Sequence, residues 1–205
     1  QVAEQEPQRL PEIFRQRRGT LTEGLAYLEE LATHYARLSP RHALQPCPVA
    51  PPLAAALASL PPDRPQDARL EVETELPADL PPVLAEPVGL RRVLENLIRN
   101  AVEAMPDGGR LTVAATVAEA EELGGPAVVV QITDTGGGIP EDRRDRIFND
   151  FYTTKPDGTG LGLSNVRRLV GDFGGRISVT SQPGRGTSFS VALPVAPSRS
   201  RARSD

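Results

Sequence analysis

Between residues 87 and 106 the apolar side chains Leu90, Val93, Leu94, Leu97, Ile98, Ala101 and Met105 recur every three or four positions, the spacing of one helical stripe. A helix with one continuous apolar face must bury it against another layer. Pro87 suits the first helical turn, and Pro106 with the turn Asp107-Gly108-Gly109 ends the helix.

Short strand-like runs surround it. Leu70, Val72 and Thr74 alternate as in an edge strand. Strands are expected over 110–116 and 127–133, separated by an acidic exposed loop, and over 176–181 and 188–193, joined by Pro183-Gly184-Arg185-Gly186. Helices are expected over 53–60, 141–148 and from about 161 to 173. Strands and helices intersperse without a regular βαβ repeat, which predicts an α/β fold: a two-layer sandwich with helices on one face of a mixed sheet. Further upstream, Phe14, Leu21, Leu25, Leu28, Ala32 and Tyr35 keep the three-and-four spacing of a coiled-coil seam. That helix reads either as an amphipathic helix on its own domain or as one arm of a hairpin that dimerises into a four-helix bundle, and the Pro-rich stretch 40–52 after it, read as a linker, favours the second. The division expected is a partial dimerisation segment and linker over 1–45, a catalytic domain over 46–195 and a disordered basic tail over 196–205.

The net charge of −4 offers no electrostatic case for nucleic-acid binding. Cys47 is alone, so no internal disulfide forms, and His34 and His42 complete no metal-ligand spacing. No apolar run reaches the ~20 residues that span a bilayer. The chain begins at Gln1 and is read as a cytoplasmic piece of a longer protein, which leaves room for membrane or sensor segments upstream.

Three patterns carry chemistry. Asn96 and Asn100 lie four apart on one face of the 87–106 helix and interrupt its apolar pattern; such amides either cap neighbouring backbone or point into a ligand site, where an amide oxygen is a hard donor suited to Mg²⁺. Asp134-Thr135-Gly136-Gly137-Gly138-Ile139-Pro140 ends a strand with a carboxylate and a wall without Cβ atoms, either a common turn or a seat for a flat ligand whose exocyclic amine the carboxylate accepts. Gly158-Thr159-Gly160-Leu161-Gly162-Leu163-Ser164 opens a helix and can present free N–H groups to phosphate, without the pattern of a Walker loop. Thr153, Thr154 and Lys155, the chain's one lysine, precede it. Gly184-Arg185-Gly186-Thr187 by itself reads as a hairpin turn.

Taken in order, these segments resemble the sensor histidine kinases of the GHKL ATPase superfamily. Asn96-Leu-Ile-Arg-Asn100-Ala is similar to the N box, Asp134-x-Gly136-x-Gly138 to the first glycine box, Ile147-Phe148 through Phe151 to the F box, Gly158-Thr-Gly160-Leu-Gly162-Leu to the second glycine box and Gly184-Arg-Gly186-Thr187 to the third. The run from Phe151 to Gly160 further resembles the nitrogen-regulation type. The resemblance implies a Bergerat fold that binds ATP, with Asn100 on Mg²⁺, Asn96 assisting the phosphates, and Asp134 on the adenine amine. Gly136, Gly138 and Ile139 would line the base pocket, with Thr187 close by. Phe148 and Phe151 would anchor a lid over 153–159. The backbone around Gly158, Gly160, Leu161, Gly162 and Leu163 would contact the phosphates, with Lys155, Thr153, Thr154 and Thr159 near them. It also implies a homodimer through a helical hairpin and a response regulator receiver domain as partner.

Three features bear on the chemistry. Hydrolytic members of the superfamily place a water-activating Glu where this chain has Asn96, and Glu95 projects about 100° away around the helix; that favours handing the γ-phosphoryl group to an imidazole. No His-Glu/Asp-x-x-x-Pro segment occurs in the chain, and Asn149-Asp150 replaces the family's common Glu-Pro. A regulatory ATP-binding module without phosphotransfer, and a GHKL-type ATPase, stay open as alternatives.

Overall fold

The structure, a computed structural model, describes residues 43–60, 69–154 and 159–197. The segment expected as a dimerisation helix, the basic end beyond 197, Lys155 and Gly158 lie outside the described residues.

The described elements are β1 (Gln45–Cys47), α1 (Ala50–Ala58), β2 (Leu70–Glu75), β3 (Val83–Ala85), α2 (Pro87–Glu103), β4 (Gly109–Ala120), β5 (Gly125–Asp134), α3 (Glu141–Arg144), α4 (Gly162–Asp172), β6 (Arg176–Gln182) and β7 (Gly186–Pro194). Five strands form one sheet in the order β2-β4-β5-β7-β6, parallel only between β2 and β4, so the sheet is mixed. β1 and β3 pair in a small second sheet. The α/β layering expected from the sequence is what the structure shows.

Period-two alternation sets the sheet's inner face. Val113, Ile132 and Phe189 form one cross-strand row, and Ala115, Val130 and Val191 the next. All six are buried. α2 covers this face: Leu90, Val93, Leu94, Leu97, Ile98 and Ala101 are buried as its stripe predicts, and it packs between α1 and α4 and against β5. Glu86 caps α2, its carboxylate accepting from the backbone N–H of Val88 at 2.9 Å and from that of Gly89, which satisfies two of the donors left open at a helix start. Glu86→Ala is expected to cost about 1 kcal/mol of stability, read as a lower urea midpoint with an unchanged m-value.

Some segments differ from expectation. The stretch read as a linker contains β1 and the first turn of α1, whose Pro52 and Leu53 are buried. The acidic loop expected over 117–126 is mostly strand: β4 and β5 continue pairing from Val117↔Val128 to Ala120↔Gly125, and a 3-10 turn at Glu121–Leu123 closes them. The helix expected over 141–148 stops at Arg144 and gives way to successive turns, Asn149 N–H donating to Arg146 C=O and Tyr152 N–H to Asn149 C=O. No described helix is long and apolar enough to cross a membrane.

Candidate functional site

The alternation that buries Val128, Val130 and Ile132 also carries Asp134, two residues on, to the inner face at the end of β5, where it is 3% exposed. Its register partners are Leu111 and Thr187. Burial pushes the Asp134 carboxyl above the ordinary carboxylate range, against the opposing pull of backbone N–H donors from Gly136 and Thr187. Those donors reach Oδ1 at 2.9 and 3.2 Å. Among the described residues both hydrogen bonds to Asp134 fall on Oδ1, so its second oxygen keeps acceptor capacity for a ligand.

The loop after Asp134 is fastened on three sides. Gly137 N–H donates to Ala104 C=O at the end of α2 (3.3 Å), Gly184 N–H donates to Gly137 C=O (2.8 Å), and Ile139 N–H donates to the Ser181 hydroxyl (2.7 Å). Ser181 in turn donates to Gly186 C=O and lies 3.0 Å from the Thr187 hydroxyl. The glycines serve this fastening. A Cβ on Gly136 would overlap the Ala104 carbonyl, and one on Gly138, at φ +71°, would overlap the Gln182 carbonyl. A Cβ on Gly137 would meet nothing within 4 Å.

A cleft of about 810 Å³ opens between α2, this loop and the start of α4, within the size range of small-molecule sites. Of the residues expected in the site, Asn100, Asp134, Gly138, Ile139, Thr153 and Thr154 line it, and so do Thr159, Gly160, Gly162, Leu163 and Thr187. Asn100 on a helix and a glycine run some sixty positions later, far apart in sequence, therefore meet at one cavity. Gly136, Leu161, Phe148, Phe151 and Asn96 are not in its lining. Phe148 is core, edge-on to Phe189 with centroids 6.3 Å apart. Phe151 is 59% exposed at φ +62°, and its backbone abuts Gly160, where a Cβ would not fit. Asn96 lies beside Gly162, whose Cβ would sit 3.2 Å from the amide oxygen.

Sequence reasoning missed Arg99, Glu103, Arg143, Tyr152 and Phe189 in the lining, and the buried Ser181 behind it. Arg99 and Glu103 were readable in principle, lying three residues beyond Asn96 and three beyond Asn100 on the same helical face. Ser181 had no local signal, because its role comes from pairing with Thr187.

The chain belongs to the family of histidine kinase-, DNA gyrase B-, and HSP90-like ATPases, whose model matches residues 85–197. It is 42% identical over 113 residues to the sensor histidine kinase ZraS of Salmonella typhi, covering 55% of this chain and 23% of that protein. It is 41% identical over 123 residues to the sensory histidine kinase/phosphatase NtrB of Azospirillum brasilense, covering 56% and 30%. The chain thus spans less than a third of the length of these relatives. Among solved structures, the mycobacterial sensor histidine kinase MprB superposes with a TM-score of 0.62 at 29% identity, covering 75% of this chain and 99% of that one. Full-length ShkA, solved in complex with AMPPNP, gives 0.65 at 29% identity, covering 91% and 40%.

Proposed function

We propose that this chain is the ATP-binding catalytic domain of a two-component sensor histidine kinase, which binds Mg-ATP and passes the γ-phosphoryl group to a histidine on a dimerisation helix for relay to a response regulator. The observation that carries the reading is the convergence of Asp134, Asn100 and the Gly160–Gly162 backbone on one cleft. Asp134 Oδ2 accepts from the adenine amine while Oδ1 stays tied to backbone. Gly138, Ile139 and Thr187 flank the base, and the backbone at the start of α4 offers N–H groups to the phosphates.

The donor set fits Mg²⁺: the Asn100 amide is a hard oxygen donor on the cleft wall, and this ion takes few protein ligands, with water and phosphate completing its shell. Held by Asn100, Mg²⁺ would supply neutralisation of the charge that develops during phosphoryl transfer. Asn96 cannot activate water, and Glu95 is engaged 2.6 Å from Arg91 Nε and is not in the cleft lining. The γ-phosphorus is thereby left for an imidazole nitrogen, the bond to the β–γ bridging oxygen breaking as the new P–N bond forms and ADP departing. Glu103 is the α2 carboxylate that does line the cleft, and it is the specific feature favouring the ATPase alternative.

Incubation of the chain with Mg-ATP and a separate hairpin bearing the His-Glu/Asp-x-x-x-Pro segment should yield acid-labile phosphate on that histidine. Asn100→Ala should lower the yield by about 100-fold or more, the scale of removing a transition-state charge partner. ATP binding without phosphohistidine would leave a regulatory module, whereas steady hydrolysis lost on Glu103→Gln would establish an ATPase.

A further inference from the structure

α2 sets Asn96, Arg99, Asn100 and Glu103 along one face at helical spacing. The last three line the cleft and Asn96 does not. The geometry shows what occupies it instead. Its Nδ2 donates to Arg92 C=O at 2.9 Å, one turn back, and its Oδ1 accepts from Arg99 Nη2 at 2.7 Å. Gly162, at the head of α4, lies close against the same oxygen. Both ends of the amide are therefore engaged, one anchoring it to the helix and the other gripping a guanidinium.

Arg99 is a long, otherwise flexible side chain on the cleft wall next to Asn100. Its planar fork retains further N–H donors after one has gone to Asn96, and such a fork matches phosphoryl oxygens two at a time. A guanidinium already held in place loses less conformational freedom when a ligand arrives. From these contacts, and resting on the ATP reading of the cleft, we infer that Arg99 is a triphosphate-binding residue and that Asn96 is its positioning residue, acting on the nucleotide through the guanidinium. This gives the first asparagine of the pair a different task from the second. It also accounts for Gly162, since a side chain there would press on the oxygen that holds Arg99.

The test is calorimetric titration of the full chain with Mg-ATP, Mg-ADP and adenosine. Arg99→Ala should weaken ATP about 10- to 100-fold, the scale of charge-assisted hydrogen bonds, with adenosine affinity unchanged. Arg99→Lys should restore only part of the loss, because an ammonium lacks the fork. Asn96→Ala should weaken ATP by about 3- to 10-fold in the wild-type background and not at all when Arg99 is already Ala, the non-additivity expected of residues acting as one unit. Arg91→Ala, which removes an equal charge from α2 outside the cleft lining, should change neither affinity. Equal losses of ATP and adenosine in Arg99→Ala, or no loss, overturn the phosphate role. Additive losses in the double variant overturn the positioning role. A wild-type chain that binds adenosine but no more tightly ATP overturns the inference alone, whereas one that binds no adenine compound overturns the site reading with it.

Discussion

Asp134→Asn should abolish ATP binding, weakening it by about 100-fold or more, while making the unliganded chain more stable. The backbone N–H groups of Gly136 and Thr187 will select the amide oxygen of the new side chain, because both need an acceptor at the Oδ1 position. The amide nitrogen then falls where Oδ2 was and meets the adenine amine donor to donor. A charged hydrogen bond worth roughly 1.5–3 kcal/mol is lost and a buried mismatch takes its place. Stability moves the other way because burial raises the Asp134 carboxyl despite its two donors, so the ionised form is disfavoured on folding. In the window above the ordinary carboxylate value and up to the raised one, the folded chain holds more protons than the unfolded chain, and this group makes stability fall as pH rises. Asn cannot ionise and escapes that fall. The variant should therefore be the more stable chain above that window, with its advantage in urea midpoint wider at pH 8 than at pH 4. A variant less stable than wild type at pH 8, or one that still binds ATP normally, contradicts the assignment.

Replacing Gly186 by Ala should cost about 3 kcal/mol or more, while the same change at Gly137 should move stability by less than about 0.5 kcal/mol. Gly186 sits at φ +97°, and its missing Cβ would overlap the Asp134 carbonyl oxygen and lie 3.0 Å from Thr135 Cα. Those neighbours are backbone, held by the β5–β7 ladder, and cannot yield as a flexible side chain does. The penalty combines left-handed strain with a tertiary clash and is large against a total of about 5–15 kcal/mol for a domain. Gly137 has no left-handed φ and open space around its missing Cβ. Denaturant melts of the two variants, side by side, check both expectations, and equal costs would show that the loop is held differently.

Those two glycines also mark where sequence reading stopped. The α2 stripe and the alternation in β4, β5 and β7 were legible because each is periodic and buried on one side. The end of β4 was not: Val117, Ala118 and Glu119 are exposed, so no alternation registers although the backbone stays paired. β1 and β3, three residues each, are too short to carry a period. Most of the cleft residues were found, since polar amides in an apolar stripe and glycines at a helix start are local anomalies. The reason for the glycines was not: the bare wall over 134–140 was expected to be a common turn or a ligand seat, whereas at 136 and 138 it admits backbone from Ala104 and Gln182. Contacts between segments so distant in sequence leave no periodic trace.

The small β1–β3 sheet has a mechanical meaning. Val83 bridges to Val195 and Ala196 N–H donates to Pro82 C=O, so the incoming strand at Gln45 and the outgoing one past Pro194 are both sewn to the β3 segment. Thr187, at the other end of β7, sits beside Asp134, roughly 25 Å away at strand spacing. The described chain enters and leaves at one end of β7 and the cleft opens at the other. Changes at the β1–β3 seam therefore fall a full strand length from the cleft that Asp134 and Thr187 line.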